Sequence, residues 1–355
     1  MQTLNIPHLR LHQQLITRPF AQPEDVVRWM GAMQAQDYHQ AVWAIGVRTQ
    51  SGTLAQVEQA IADARIIRTW PMRGTIHFIP PQDARWMLQL TAARMVAKDT
   101  RRLHQLELTG ADIERCKGIV HDALAGGKRL TRSALLQTLD DAGISTAAQR
   151  GYHILWNIAQ QGLICIGPMQ DKEQTFALLD EWAGEQRDLT GDEALAELAT
   201  RYFTSHGPAT LHDFAWWAGL TQKEVKIGVA VAGDRLRSEL HDSKAYYMAA
   251  DAEPAPAASG MVLLPGYDEY LLGYQVRDAV LSQQHAQKVC PGNNGVFYPM
   301  IVQDGQIIGT WKREIKKQTV TITPSPFEGA IDSAAFASAA SGYGSFYAFA
   351  ASISM

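Results

Sequence analysis

Between Pro23 and Met33 the apolar residues Val26, Val27, Met30 and Met33 fall three and four positions apart, which is one face of a helix. Pro23 suits its first turn, and Glu24 and Asp25 suit the positive end of its dipole. A short helix is expected over residues 5–18, and another from Leu54 to Ala64 with Thr53 as its N-cap. Ile66–Trp70 and Thr75–Ile79 are β-rich runs joined by Pro71-Met72-Arg73-Gly74, so they predict a hairpin. Pro80 and Pro81 then open a long helix from Gln82 to about Leu106. Helices followed by a hairpin are the outline of a winged helix.

The same outline returns twice. Asp112–Ala125, Ala134–Ala142 and Ala147–Gln161 read as helices, the second capped around Thr131 and ended by Gly143. Leu163–Ile166 and Thr175–Leu179 then pair as a wing. Asp192–Ser205, Asp213–Ala218 and Thr221–Val231 are the next three helices, with strands at Leu236–Leu240 and Ala245–Ala249. Three tandem units of this kind are an internal repeat at domain scale.

Asp251–Gly260 reads as a linker, and strands dominate beyond it. Val262–Leu264 is apolar, Tyr298–Val302 and Ile307–Trp311 flank an Asp304-Gly305 turn, and Val320–Thr323 is a further strand. The Ala/Ser/Gly-rich tail keeps Phe336, Ala340, Tyr343 and Tyr347 at helical spacing, with disorder as the alternative. The expected fold is therefore α+β: winged-helix (helix-turn-helix) units over 1–108, 109–188 and 189–250, then a small β-barrel-like region with a terminal helix over 261–355.

Composition narrows the picture further. A chain of 355 residues, 46% hydrophobic and 19% charged, has the make-up of an ordinary soluble protein. The net charge of −4 argues against a globally basic coat, but not against local patches. From Arg65 to His104 stand Arg65, Arg68, Arg73, Arg85, Arg94, Lys98, Arg101 and Arg102 against only Asp83 and Asp99. Such an excess fits a phosphate backbone, with a solvated helix face as the alternative. Lys312, Arg313, Lys316 and Lys317 make a second basic cluster, open to the same two readings. Three widely spaced cysteines fit a reducing compartment, and neither a signal pattern nor a membrane-length apolar run is evident; a cytoplasmic protein with no membrane partner is expected.

The candidate chemistry starts where the first amphipathic face stops, at Gln34-Ala35-Gln36-Asp37. Two amides two residues apart point the same way in an extended or turn-like segment. Together they can hold one water, donating and accepting without a proton of their own; solvation of a helix end is the plain alternative. No phosphate loop, HExxH, zinc cysteine pair or GxSxG elbow is present. His8 and His12 are four apart but lack a third ligand, so no metal and no cofactor is expected. Asp268 and Glu269 are either general bases or acids that tie loops to arginines such as Arg277.

Gln34-Ala35-Gln36, Met72-Arg73-Gly74-Thr75-Ile76-His77, Gly207-Pro208-Ala209-Thr210, Pro265-Gly266-Tyr267-Asp268-Glu269-Tyr270-Leu271-Leu272-Gly273-Tyr274 and Gly309-Thr310-Trp311 occur in this order. In that order and spacing the chain resembles the AlkZ-like family of bacterial winged-helix DNA glycosylases. The resemblance implies removal of bulky alkylated purines, or unhooking of interstrand crosslinks, from double-stranded DNA. In that family the glutamine–apolar–glutamine motif is catalytic. A sister branch has aspartate at the third position, so with Gln36 this chain resembles the crosslink-unhooking branch. Gln34, Gln36 and Asp37 are then the expected catalytic residues, and Arg68, Arg73, His77, Lys312 and Arg313 the expected DNA contacts. The motif has no lysine nucleophile, so hydrolysis without strand-cleaving lyase chemistry by a monomer is expected. A non-enzymatic winged-helix regulator is the rival reading.

Overall fold

The structure, a computed structural model, describes residues 4–255 and 260–354. It is α+β, and its internal packing divides the chain into two units: one up to Val57 and again from Leu195 onward, the other Glu58–Ala194. Residues 256–259 of the expected linker lie outside the described residues.

The first unit begins with α1 (Ile6–Gln13), where Asn5 accepts from the His8 amide at 3.3 Å. The helix is shorter than expected because Leu15 takes a positive φ of 62°. The ring nitrogens of His8 and His12 bond the Asp304 carbonyl and the Thr17 hydroxyl. α2 (Pro23–Met30) buries Val26, Val27 and Met30 as expected, but stops before Met33. Gly31, at φ +76°, ends it, and Met33 is buried instead in the two-residue strand β1 (Met33–Gln34). α3 (Tyr38–Gly46) follows, and α4 (Leu54–Ala62) leads into the second unit. Thr53 and Gln56 close a reciprocal cap at its start.

The second unit opens with β2 (Ile67–Met72) and β3 (Thr75–Ile79), an antiparallel hairpin whose register shifts between Thr69 and Met72, around Pro71. Arg73 and Gly74 both take positive φ, the turn that matches the twist of a two-residue hairpin. The long helix α5 (Ala84–Gln105) follows. Next come α6 (Gly110–Leu124), β4 (Leu130–Thr131), α7 (Arg132–Asp141), α8 (Arg150–Gln160), β5 (Ile164–Gln170), β6 (Glu173–Leu178) and α9 (Leu179–Trp182). The strands of this unit run β3-β2-β5-β6-β4, antiparallel throughout. Thr91 and Gln160 bond the carbonyls of Pro71 and Trp70, which ties α5 and α8 to β2.

The chain returns to the first unit along α10 (Gly191–His206). α11 (Leu211–Ala218) and α12 (Gln222–Ala232) each start in a capping box, Thr210 with Asp213 and Thr221 with Glu224. The hairpin β7 (Leu236–His241) and β8 (Lys244–Ala249) completes this stretch. After it come β9 (Met261–Leu264), α13 (Glu269–Leu272), α14 (Ala286–Val289), β10 (Met300–Gln303), β11 (Gln306–Lys316), β12 (Thr319–Pro326), α15 (Ser333–Tyr347) and β13 (Ala350–Ile353). These strands form a five-stranded sheet in the order β13-β12-β11-β10-β9. The tail is ordered: Phe336, Ala340, Tyr343 and Phe346 of α15 are buried, and Tyr343 sits edge-on to both Trp43 and Trp311. β13, which the sequence did not suggest, lies parallel to β12. Among the described residues no helix is long and apolar enough to cross a membrane.

Candidate functional site

The glutamine segment lies between the end of α2 and the start of α3. Burial alternates along it: Met33 and Ala35 point into the core, Gln34 is half-buried, and Gln36 and Asp37 are exposed. This is the two-residue period that puts both amides on the side away from the core. Asp37 is the N-cap of α3 and accepts from the Gln40 amide at 3.2 Å.

The Pro265–Tyr274 motif supports this segment from behind. The Gly266 amide donates to Gln40 Oε1 at 3.1 Å, and the Gln34 amide donates to Glu269 Oε1 at 2.9 Å. Burial, then the nearby Asp37 charge, push the Tyr267 phenol above its ordinary range. The other Glu269 oxygen, Oε2, accepts from Trp217 Nε1 at 2.9 Å and lies 3.4 Å from His206 Nε2. His206 Nδ1 is 2.8 Å from Ser205 Oγ, and the ring stacks on Tyr202. Burial holds this imidazole below its ordinary range, against the pull of Glu269. His206 is therefore neutral near pH 7. Gly273 has no room for a side chain: a Cβ there would meet the His206 ring at 2.6 Å.

Asp268 is also buried. It caps α13 through the Tyr270 amide and takes both Arg48 guanidinium nitrogens, at 2.7 and 2.8 Å. Its partner is thus Arg48 and not Arg277, which instead donates to the carbonyls of Leu271 and Tyr274. Arg48 also bonds Gln14, and Gln14 donates to the Glu269 carbonyl and the Tyr274 hydroxyl. Neither acid is open to solvent. At the front of the site Gln34 Oε1 is buried and has no hydrogen-bond partner among the described residues. Leaving a carbonyl oxygen in that state costs about 1–3 kcal/mol, and accepting from a bound water recovers it.

The remaining expected contacts are carried by other elements. Arg68 and His77 are buried in the β2–β3 hairpin: Arg68 lies over the Phe78 ring, and His77 Nδ1 bonds the Thr75 carbonyl. Arg73, half-buried at the turn, reaches His77 Nε2 at 3.3 Å. On β11 Lys312 is exposed, while Arg313 donates to the Tyr343 hydroxyl and lies over the Tyr343 and Tyr347 rings.

Sequence reasoning missed Arg48, Trp217 and His206. Glu269 was singled out, but its partner was not. A helical pattern marks Trp217 only as core, and nothing local shows that Gln34 and Glu269, 235 residues apart, meet.

A family model described as DNA glycosylase AlkZ-like matches residues 27–346. An interstrand DNA cross-link repair glycosylase of Streptomyces sahachiroi is 29% identical over 344 residues, covering 89% of either chain. The solved structure of the Streptomyces sahachiroi DNA glycosylase AlkZ superposes with a TM-score of 0.81 at 24% identity, over 99% of this chain and 98% of that one, and so shares its fold.

Proposed function

The chain belongs to the AlkZ-like DNA glycosylase family, and from that premise we propose that it hydrolyses the N-glycosidic bond of bulky alkylated purines in double-stranded DNA and unhooks interstrand crosslinks made through such purines. The observation that carries the reading is the Gln34–Gln36 pair: two neutral amides beside an exposed carboxylate, with Gln34 Oε1 unpartnered among the described residues. Alkylation leaves the purine cationic, so it departs with the electron pair of the C1′–N bond and needs little acid catalysis. Gln34 and Gln36 hold the water whose oxygen bonds C1′, and its proton passes to solvent. The Asp37 charge favours the cationic sugar of the transition state. No amine nucleophile belongs to the motif, so strand cleavage does not accompany base release.

We read residues 1–108, 109–188 and 189–250 as winged-helix units and 261–355 as a barrel-like C-terminal region with a terminal helix, acting as a monomer in the cytoplasm. Arg73 and Lys312 are the more accessible of the proposed DNA contacts, while Arg68 and His77 are buried in the hairpin and Arg313 is half-buried against Tyr343. Incubation with DNA carrying N7-alkylated guanine, followed by heat and alkali, tests the activity. The wild type leaves abasic sites at which the alkali opens the strand, and Gln34→Ala/Gln36→Ala binds the same DNA without releasing base. Undiminished release by the double variant defeats the assignment. Binding to one operator sequence with no release favours the regulator reading.

A further inference from the structure

We propose that Glu269 is the positioning residue for the Gln34 end of the amide pair, with Trp217 and His206 holding its carboxylate. The inference rests on the reading of Gln34 given above and goes one layer behind it. Glu269 is 1% exposed and cannot meet DNA, so whatever it contributes to the reaction passes through the groups it binds. Its two oxygens have separate tasks: Oε1 takes the Gln34 amide, and Oε2 takes the Trp217 indole and faces His206. Peptide and indole N–H groups only donate, and one lands on each oxygen, as an ionised carboxylate requires. A neutral His206 that offers Nε2–H to Oε2 leaves Nδ1 as an acceptor facing Ser205 Oγ. That oxygen lies 2.8 Å from both Nδ1 and the Arg201 carbonyl, and its one proton serves one of them.

The support is rigid because its own base is pinned. Glu269 opens α13, whose N-cap Asp268 is locked by Arg48, and its carbonyl accepts from Gln14. Gln34 stands at a bend between two helices, in a strand of only two residues. A bond of about 2.9 Å from a charged acceptor to its backbone sets where the side chain emerges. An active-site amide displaced by an ångström loses much of its ability to orient a water.

Glu269→Gln keeps the shape but turns one acceptor into a donor, which must oppose either the Gln34 amide or the Trp217 indole. On the full chain, single-turnover base release should fall about tenfold or more, while the dissociation constant for lesion DNA stays within about twofold. The Gln34 backbone proton should move upfield in an amide NMR spectrum. On a Gln34→Ala background the same substitution should lower the residual rate no further, since a group acting through Gln34 has nothing left to position. Should Glu269→Gln not fold, Trp217→Phe carries the test. It removes one donor to the carboxylate and should slow release about fivefold, again only when Gln34 is present. Folded variants with wild-type rates and an unmoved Gln34 resonance overturn the proposal, as does an equal loss on both backgrounds. Neither result touches the glycosylase reading, which fails only if the wild type releases no base; the Gln34 resonance then still reads the anchor by itself.

Discussion

At the residue scale the most informative position is Asp37, which does two jobs that one substitution can separate. Its carboxylate caps α3, and its charge stands beside the amide pair. Asparagine caps as well as aspartate does but carries no charge, whereas alanine does neither. Asp37→Asn should keep the wild-type melting temperature and slow base release; Asp37→Ala should slow it similarly and cost about 1 kcal/mol of stability in urea titrations. If Asn releases base at the wild-type rate, the charge has no part in the chemistry. His206 gives the second residue-scale expectation. Its folded pKa lies below the ordinary 6.5, so the unfolded chain binds more protons between those two values. Its contribution to stability is complete above about pH 6.5 and declines as pH falls below it. The groups acting on it are Glu269, Arg48 and Arg10, and replacing the ring removes its titration. Urea midpoints from pH 7.5 to 5.5 should therefore fall less steeply in His206→Gln than in the wild type; equal slopes refute this. The amide pair itself was legible in the sequence because a two-residue period is a local signal. The carboxylate behind it was not, since its link to Gln34 exists only once the chain has closed over 235 positions.

At the scale of elements, capping and turn chemistry were readable and terminal packing was less so. The Thr53 and Thr131 caps fall where the sequence places them, and Asp304-Gly305 forms the expected turn with both residues at positive φ. The tail shows the limit. Phe336, Ala340 and Tyr343 mark the inner face of α15, yet Phe346 is buried in preference to Tyr347, whose hydroxyl reaches the His39 carbonyl. Ala350–Ile353 has no apolar–polar alternation, so nothing announces a strand that pairs in parallel with β12. The ring of Phe346 explains Gly46, because a Cβ there would lie 2.3 Å from it. Gly46→Ala has to push that ring aside and should cost about 1–3 kcal/mol. The matching release is Gly46→Ala/Phe346→Leu, which should recover part of that loss in a thermal melt. No loss in the single variant means that α15 is not seated on α3.

At the scale of the whole molecule the sequence suggests consecutive segments, whereas the contacts group residues up to Val57 with those from Leu195 onward. A local pattern cannot reveal such closure, because the residues on either side of the intervening stretch meet only in the folded chain. The cysteines make the division measurable. Cys116 and Cys165 belong to Glu58–Ala194 and Cys290 to the other unit, and all three are buried. Burial raises the Cys116 thiol to about 11 and the Cys165 thiol to about 12. Alkylation requires an exposed thiolate, so at pH 8 neither should react with iodoacetamide while its unit is folded. As urea is raised, Cys116 and Cys165 should be labelled over the same range, because opening one cooperative unit exposes both. Cys290 should follow the midpoint of its own unit, and site-resolved mass spectrometry reads all three in one titration. Labelling of Cys116 well before Cys165 would mean that Glu58–Ala194 does not unfold as one body. In that case α6, which carries Cys116, and β5, which carries Cys165, open separately.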